Sequence, residues 1–250
     1  MQRLPGKTAP VSSTGWLAGQ LAVVTGASRG IGAATATAVA AAGAHVVLAA
    51  RDGQALDGVA GRIKDAGGQA TPVPTDVSDQ AAVERLFARA AGVGRVGALV
   101  CAAGVLTPAP FAGTTPAIWG ETLGINLTGT FLCCRAGFSA MVPAGEGRIV
   151  TIGSLSGVYA TEKFPGLAAY NVSKYGVIGL TEAIAVEGKA HGISAVCLSP
   201  GAVDTGMLRR ANPRLRPGLT PDDVAELIVA LLDGPLAPVS GANIPLFSNA

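Results

Sequence analysis

The sequence predicts an α/β fold in which helices cover both faces of a mostly parallel sheet. Short apolar runs alternate along the chain with longer alanine-rich stretches, as buried parallel strands and their crossover helices do. The composition agrees, because 49% of the 250 residues are hydrophobic, 14% are charged and 35 are glycine. A glycine-rich turn after the first apolar run indicates the order strand, loop, helix. We therefore expect one large domain with an ample core.

The first unit of this fold lies at residues 21–50. An apolar run at residues 21–24 is predicted to be the first strand, and a helical stretch ends near Ala42. Between them, residues 25–32 read T-G-A-S-R-G-I-G. Glycines let a backbone turn sharply and approach a pyrophosphate, whose charge lies against the free N–H groups of the next helix. With a second strand at residues 45–50, the unit predicts a Rossmann-type dinucleotide site.

The remaining strands follow in the same alternating pattern. Pro72 and Pro74 lie in the third apolar run, residues 69–75, and each removes a backbone donor. This strand is therefore expected at the edge of the sheet, where the third strand of a 3-2-1-4-5-6 order lies. The later strands are predicted at residues 96–101, 147–152, 193–198 and 241–247, and two later helices at residues 119–141 and 221–232. Together they make a seven-stranded, doubly wound sheet.

Tyr170 and Lys174 are four residues apart, so they lie on one face of a predicted helix. A phenol has a pKa of about 10 and exchanges protons poorly at neutral pH unless a nearby cation stabilises its phenolate. Lys174 is a candidate for that cation, and the pair would then suit proton exchange with a carbonyl or alcohol oxygen. An ordinary pair on a helix surface explains the same spacing.

These two motifs make the chain resemble the short-chain dehydrogenase/reductase family, and within it the 3-oxoacyl-carrier-protein reductase-like members. Residues 25–32 match the family pattern T-G-x-x-x-G-x-G, and residues 170–174 match Y-x-x-x-K in the family's order. Further matches extend from about residue 17 to residue 250. The resemblance implies hydride transfer between a nicotinamide and a carbonyl or secondary alcohol substrate, such as a ketone or a β-ketoacyl group. It also implies a homo-oligomer, either a tetramer or a dimer.

The resemblance implies catalytic roles for particular side chains. Tyr170 would exchange the proton, while Lys174 would lower the pKa of that phenol and hold the nicotinamide ribose. Ser154, which follows the fifth predicted strand, would orient the substrate oxygen, and Ser156 is its rival. Asn126 would hold a water that continues the proton path, or alternatively its amide bridges an irregular turn of its helix.

The resemblance also implies where a nicotinamide dinucleotide would bind. The expected contacts are Gly26, Ser28, Arg29, Gly30, Ile31, Gly32, Arg51, Asp76, Val77, Ala103, Gly104, Tyr170, Lys174, Pro200, Gly201, Val203 and Thr205. Asp76 has an alternative role as the cap of the helix that begins near Asp79. The chain departs from the family at residues 101–104, which read C-A-A-G instead of N-N-A-G. The missing asparagines put the local rigidity of the central strands in doubt.

The choice between NAD and NADP depends on the end of the second strand. An NAD site places a carboxylate near the ribose hydroxyls, whereas here that position is Ala50. Arg51 and Arg29 would grip a 2′-phosphate with charge-assisted hydrogen bonds, which favours NADP(H). Asp52 keeps an NAD-dependent alcohol dehydrogenase open as the alternative.

Two loops are expected to surround the substrate. The segment between Ser154 and Tyr170 is longer than is typical of the family, so residues 159–165 are expected to carry an insertion whose aromatic residues shape specificity. Residues 205–220 are expected to form a lid. The lid carries Arg209, Arg210, Arg214 and Arg216. These arginines would attract an anionic acyl carrier or phosphate-bearing substrate, or they are simply solvated.

Other function classes have little support in the sequence. A net charge of +2 gives no argument for nucleic-acid or membrane binding, and no apolar run is long enough to span a bilayer. The sequence contains no H-E-x-x-H motif and no cysteine-histidine cluster, so it predicts no metal site. Residues 1–16 are expected to be a flexible extension before a catalytic domain at residues 17–250, in a cytoplasmic protein with reduced thiols. A non-catalytic NADP-binding sensor or scaffold is the alternative from another class.

Overall fold

The computed structural model describes residues 15–248, and these residues form a doubly wound α/β fold. One sheet of seven parallel strands has the order β3-β2-β1-β4-β5-β6-β7, so the predicted fold class is confirmed. The strands are β1 (Leu21–Thr25), β2 (His45–Ala50), β3 (Gln69–Pro74), β4 (Val96–Cys101), β5 (Gly147–Ile152), β6 (Ile193–Pro200) and β7 (Asn243–Leu246). Most of the predicted extension, residues 1–14, lies outside the described residues.

The α-helices cover both faces of this sheet. Within residues 15–248 they are α1 (Gly30–Ala41), α2 (Gly53–Asp65), α3 (Gln80–Ala91), α4 (Pro116–Leu123), α5 (Gly129–Met141), α6 (Ala168–Gly188), α7 (Gly206–Ala211) and α8 (Pro221–Asp233). Neighbouring residues of β1 point to opposite faces. Ala22 and Val24 pack with α1, α2 and α8, whereas Leu21 and Val23 pack with α3 and α5. Both faces of the central strands are buried, which is why these strands are mostly apolar.

The strand with two prolines forms the predicted edge of the sheet, because β3 pairs with β2 alone. The N–H of Thr75 donates to the carbonyl of Ala50 at 2.8 Å. Successive backbone donors of a strand point in opposite directions, so positions 72 and 74 face the open side. Pro72 and Pro74 therefore remove no hydrogen bond from the sheet, and they hinder pairing with another chain.

The helical stretch predicted at residues 119–141 is not one regular helix. Helix α4 begins earlier, at Pro116, because the Thr115 hydroxyl caps it by accepting from the N–H of Ile118. A π-helical turn at Gly124–Thr128 then joins α4 to α5. Such wide turns occur frequently at functional sites, and this one contains Asn126.

The last predicted helix is confirmed as α8. The Thr220 hydroxyl accepts from the N–H of Asp223, and the Asp223 carboxylate accepts in return from the N–H of Thr220. This reciprocal pair satisfies two donors at the start of the helix.

At the other end of the chain, Trp16 of the predicted extension lies over Arg148, with the guanidinium 4.0 Å from the centre of the Trp16 ring.

Candidate active site

A cavity of about 710 Å³ opens where the carboxyl ends of the strands meet. Its walls come from the segments after β4, β5 and β6 and from α6 and α7. Ligands of open α/β sheets bind at this edge, and the volume suits a small-molecule site. Ser154, Tyr170 and Lys174 all line the cavity, although 20 residues separate the serine from the lysine. Folding therefore brings these three predicted site residues together.

Tyr170 lies in the first turn of α6 and faces the cavity. Burial raises the pKa of its phenol above the ordinary value, and hydrogen bonding with the Ser154 hydroxyl opposes that rise. The sequence predicted a pKa lowered by Lys174, so the direction in the fold is the opposite. The reason is desolvation, which penalises the phenolate more than the neighbouring groups stabilise it. Tyr170 therefore keeps its proton at neutral pH.

Lys174 lies one turn further along α6 and is buried. Its ammonium donates to the carbonyl of Ile152 at 2.7 Å and lies 5.6 Å from the centre of the Tyr170 ring. Burial lowers the pKa of Lys174 to about 8, and the nearby thiols of Cys197 and Cys101 oppose this change only in part. The cation is thus held close to the phenol but at a cost in solvation.

This cost predicts that Lys174→Met stabilises the protein at neutral pH. The pKa of Lys174 is about 8 in the fold and 10.5 ordinarily, so the unfolded chain binds the extra proton between these values. The free-energy cost of the buried charge is full below about pH 8 and disappears toward pH 10.5. We expect the variant to gain about 1–3 kcal/mol in the free energy of unfolding at pH 7.

The gain should shrink as the pH rises from 8 to 10, as measured by urea unfolding of both proteins. Burial raises the pKa values of Tyr170 and Cys197, and hydrogen bonding with Cys134, together with burial, raises the pKa of Cys101. These groups change the stability in the opposite sense above about pH 9, so only the difference between the two proteins isolates the effect of Lys174. Lys189→Met, at an exposed lysine, is the control. It should change neither the free energy of unfolding at pH 7 nor its dependence on pH. A Lys174→Met protein that is less stable at pH 7 would contradict the prediction.

Ser154 follows β5 and is buried beside the cavity. Its hydroxyl accepts from the N–H of Ser156 at 3.2 Å, which caps the short helical turn Leu155–Gly157. The long loop after Ser154 does not pull the serine away, since its hydroxyl still influences Tyr170. Ser156 also lines the cavity, so both serines remain near the candidate site. The turn packs closely on α6, because a Cβ at Gly157 would lie 2.8 Å from that of Lys174.

Asn126 is fully buried, and its amide is used within the protein. Its side chain accepts from the N–H of Val105 at 2.8 Å, and donates to the Val105 carbonyl at 2.9 Å and to the Ser173 hydroxyl at 3.0 Å. It therefore joins the π-helical turn to the loop after β4 and to α6. The irregular turn considered from the sequence is present, and Asn126 is the residue that bridges it.

The glycine loop brings its backbone close to neighbouring strands and helices. Gly26 has φ +66°, and a Cβ there would lie 2.7 Å from the Ala102 carbonyl. A Cβ at Gly32 would overlap the Gly26 carbonyl, so only glycine fits at the start of α1. The α1 cap residue, Arg29, makes no capping side-chain bond, unlike Asp52 of α2 and Asp79 of α3. Among residues 15–248, no side-chain acceptor meets the first N–H groups of α1, which fits a dinucleotide phosphate.

Two exposed arginines lie where the ribose of a dinucleotide is expected. Among the described residues, neither Arg29 nor Arg51 belongs to an ion pair. Asp52 is engaged, because its carboxylate accepts from the N–H of Ala55 at 3.0 Å and caps α2. Hydrogen bonds from Ser78, and more weakly the charge of Arg51, hold the pKa of Asp76 below its usual range. The cap of α3 is Asp79, not Asp76.

The loop after β4 keeps its position without the family's asparagines. The Thr25 hydroxyl accepts from the N–H groups of Ala102 and Ala103 at 3.2 and 3.3 Å, and so ties β1 to this loop. Thr25 stands in the glycine motif but was not predicted as a site residue. A Cβ at Gly104 would lie 3.4 Å from the Asn126 amide oxygen, which is an ordinary contact distance, so Gly104 is packed less tightly than Gly26. Val77, predicted to touch the cofactor, is buried against Gly129.

The remaining predicted contacts follow β6. Pro200, Gly201, Val203 and Thr205 line the cavity, and the Thr205 hydroxyl caps α7 by accepting from the N–H of Leu208 at 3.2 Å. A part of the cavity wall that the sequence reasoning missed is the C-terminal Phe247 and Ser248. The Ser248 hydroxyl accepts from the N–H of Ala202 at 2.9 Å, a contact that no local pattern signals.

The predicted lid presents apolar side chains to the cavity. Met207, Leu208 and Leu215 line it, whereas the lid arginines do not. Arg209 points outward and pairs with Asp204. The arginines are exposed, as a solvated loop requires, and give the cavity wall itself no positive charge.

The fold is of the Rossmann type, and its cavity lies at the carboxyl edge of the sheet. The family model for short chain dehydrogenases matches residues 20–216. The chain belongs to the short-chain dehydrogenase family, and it is an oxidoreductase that acts on carbonyl and alcohol groups.

Individual relatives differ in their substrates. The chain is 36% identical over 231 residues to a 3-oxoacyl-[acyl-carrier-protein] reductase of Synechocystis sp., covering 88% of this chain and 92% of that one. It is 35% identical to glycine betaine reductase ATRR of Emericella nidulans, with 88% of this chain matching 18% of that protein's length. A proposed NAD(P)-dependent gluconate 5-dehydrogenase from Beutenbergia cavernae, solved with NADP at low occupancy, has a TM-score of 0.84 and 36% identity over 93% of this chain and 96% of that one.

No helix within residues 15–248 has the length and hydropathy needed to cross a membrane. Across the same residues, histidine, cysteine and acidic side chains form no group of three or more that would hold a metal ion.

Proposed function

We propose that the protein is an NADP(H)-dependent reductase of ketones or β-ketoacyl groups, or a dehydrogenase that catalyses the reverse oxidation of the corresponding alcohols. The observation that carries the proposal is the convergence of Ser154, Tyr170 and Lys174 at one cavity. A proton donor, a cation and a second hydroxyl are the groups that a carbonyl oxygen needs as it gains negative charge.

In the proposed reaction Tyr170 donates its proton to the substrate oxygen. Burial raises its pKa, so the phenol is protonated at neutral pH and has a proton to give. Ser154 donates a second hydrogen bond and stabilises the charge that develops on that oxygen. Lys174 stabilises the phenolate that remains, and Asn126 orders the turn through which a proton would return. A bound nicotinamide would supply or accept the hydride.

The residues present fit a phosphorylated dinucleotide. The uncapped start of α1 and the close-packed Gly26 and Gly32 suit a pyrophosphate. Arg29 and Arg51 would hold the 2′-phosphate of NADP, and the capping role of Asp52 removes the main objection to this choice. The neighbour that binds NADP supports the same preference.

The expected homo-oligomer also has support. Phe131 on α5 and Val172, Tyr175 and Val186 on α6 are large apolar side chains that are exposed in the single chain, Val186 to 78%. Such a face is suited to packing against a second copy.

The proposed function is tested by cofactor binding followed by turnover. NADPH should raise the unfolding midpoint more than NADH, and S-adenosylmethionine should leave it unchanged, because only a ligand of the native state stabilises it. A panel of ketones and β-ketoacyl thioesters should then consume NADPH, measured by its absorbance. If the protein binds NADPH but reduces no compound in the panel, the sensor or scaffold hypothesis is favoured. If it does not bind NADPH, both that hypothesis and the proposed NADP(H)-dependent enzyme are refuted.

A further inference from the structure

The part of the cavity beyond the reacting groups is mostly apolar, with neutral polar side chains such as Thr161, Asn212 and Ser248 among its lining. Leu106, Val158, Phe164, Met207, Leu215 and Phe247 contribute to its walls. Within the described residues, the only charged side chains that line it are Lys174 and Glu162. We propose, building on the function proposed above, that the substrate is a carbonyl compound with an apolar body and no negative charge, and that Glu162 favours a cationic substituent over an anionic one.

Glu162 is held at the cavity by a bonded loop. The Thr161 hydroxyl donates to the carbonyls of Leu155 at 2.6 Å and Val158 at 2.9 Å. The Tyr175 hydroxyl donates to the same Val158 carbonyl at 3.1 Å. These bonds hold Val158 and Thr161, so the backbone that carries the exposed Glu162 has a defined place at the cavity.

The backbone inside this loop is unusual as well. Ala160 has φ +59°, a left-handed conformation that a residue with a Cβ adopts only when the surroundings enforce it. The bonds made by Thr161 supply that enforcement. Strained residues concentrate at ligand sites, and Ala160 and its neighbours Tyr159 and Glu162 all line the cavity.

Among the described residues, the one cation in the cavity wall is Lys174, which donates to the Ile152 carbonyl beside the reacting groups and forms no ion pair with Glu162. The adjacent Lys163 does not line the cavity. Its ammonium instead donates to the Val158 carbonyl and the Thr161 hydroxyl, both at 2.6 Å, and lies 5.3 Å from the centre of the Tyr175 ring. Glu162 forms no ion pair within residues 15–248.

A negative substrate group would therefore lose hydration against apolar walls and meet the repulsion of a carboxylate. A neutral substrate group loses less hydration and meets no charge repulsion, and a cationic group is attracted to the carboxylate of Glu162. The lid arginines do not reverse this order, because they lie outside the cavity wall. The site thus differs from one built for a sugar acid or another small carboxylate.

The test uses ketones of one shape and three charges: 4-acetylbenzoate, 4-acetylbenzamide and 4-acetylbenzamidine. Comparing the wild type with Glu162→Gln cancels the intrinsic reactivity of each compound. We expect kcat/KM to rank amidine and amide above benzoate in the wild type. Glu162→Gln should reduce the amidine-to-benzoate ratio by about threefold to tenfold and leave the amide within about twofold. Glu187→Gln, at an exposed glutamate outside the cavity, is the matched control and should leave the ratio unchanged.

The inference is overturned if the wild type prefers the benzoate, or if Glu162→Gln leaves the ratio as it was. It is also overturned if none of the three compounds is reduced or inhibits the reduction of another ketone. Each of these outcomes, obtained with a protein that binds NADPH and reduces some carbonyl compound, leaves the proposed function standing. Failure to bind NADPH and to reduce any carbonyl compound refutes the function itself.

Discussion

Replacing Tyr170 with phenylalanine is expected to lower kcat by at least about 100-fold, because a positioned proton donor contributes about 10²–10⁴ to such a reaction. The phenyl ring keeps the shape of the side chain and removes only the group that gives its proton to the substrate oxygen. The measurement is the rate of NADPH consumption at saturating ketone. NADPH should raise the unfolding midpoint of the variant as much as that of the wild type.

The matched control is Tyr175→Phe, which removes the hydroxyl of another tyrosine on the same helix, α6. That hydroxyl donates to the Val158 carbonyl and does not line the cavity. Its removal should change kcat by no more than about threefold. If Tyr170→Phe keeps its turnover, the assignment of Tyr170 as the proton donor is wrong.

The double replacement Arg29→Ser with Arg51→Asp is expected to reverse the cofactor preference. Two charge-assisted hydrogen bonds to a phosphate contribute about 1.5–3 kcal/mol each, so kcat/KM for NADPH should fall by at least about 100-fold. The new carboxylate would repel the 2′-phosphate and accept from the ribose hydroxyls of NAD. The value for NADH should therefore stay unchanged or rise.

Arg62→Ser is the control for this experiment, since Arg62 is an exposed arginine on α2 that follows the same strand. It should leave the NADPH-to-NADH ratio of kcat/KM unaltered. Equal losses with both cofactors would mean that the two arginines support the fold of the glycine loop and do not read the 2′-phosphate. A ratio unchanged in the double variant would favour the NAD-dependent alternative.

The fold was predictable because its signals are local. A wholly apolar run marks a strand buried on both faces, and the glycines of residues 25–32 mark a turn that no larger residue fits. Pro72 and Pro74 even identified the edge strand, because a missing donor is tolerated only there. The π-helical turn at Asn126 was harder, since its cause is a set of bonds to Val105 and Ser173 that are distant in sequence.

The sequence predicted Ser154, Tyr170 and Lys174, which all line one cavity, but not the electrostatics around them. The four-residue spacing of Tyr170 and Lys174 determines that they share a helix face, whatever surrounds them. The direction of their pKa shifts depends instead on how many atoms from other elements exclude water, and desolvation raises one and lowers the other. The arginines of the predicted lid are a similar case. The sequence gives their number, but only the structure shows that they lie outside the cavity wall.

The sequence alone therefore determined the strand order, the glycine loop and the tyrosine-lysine pair, because each follows from periodicity or from the limits on one residue's backbone. Only the tertiary structure decided what lines the cavity. Phe247 reaches it from near the end of the chain, Lys163 turns away from it, and Glu162 is the only acidic residue that lines it within the described residues. These facts depend on contacts between segments far apart in the chain, and such contacts leave no repeating pattern in the sequence.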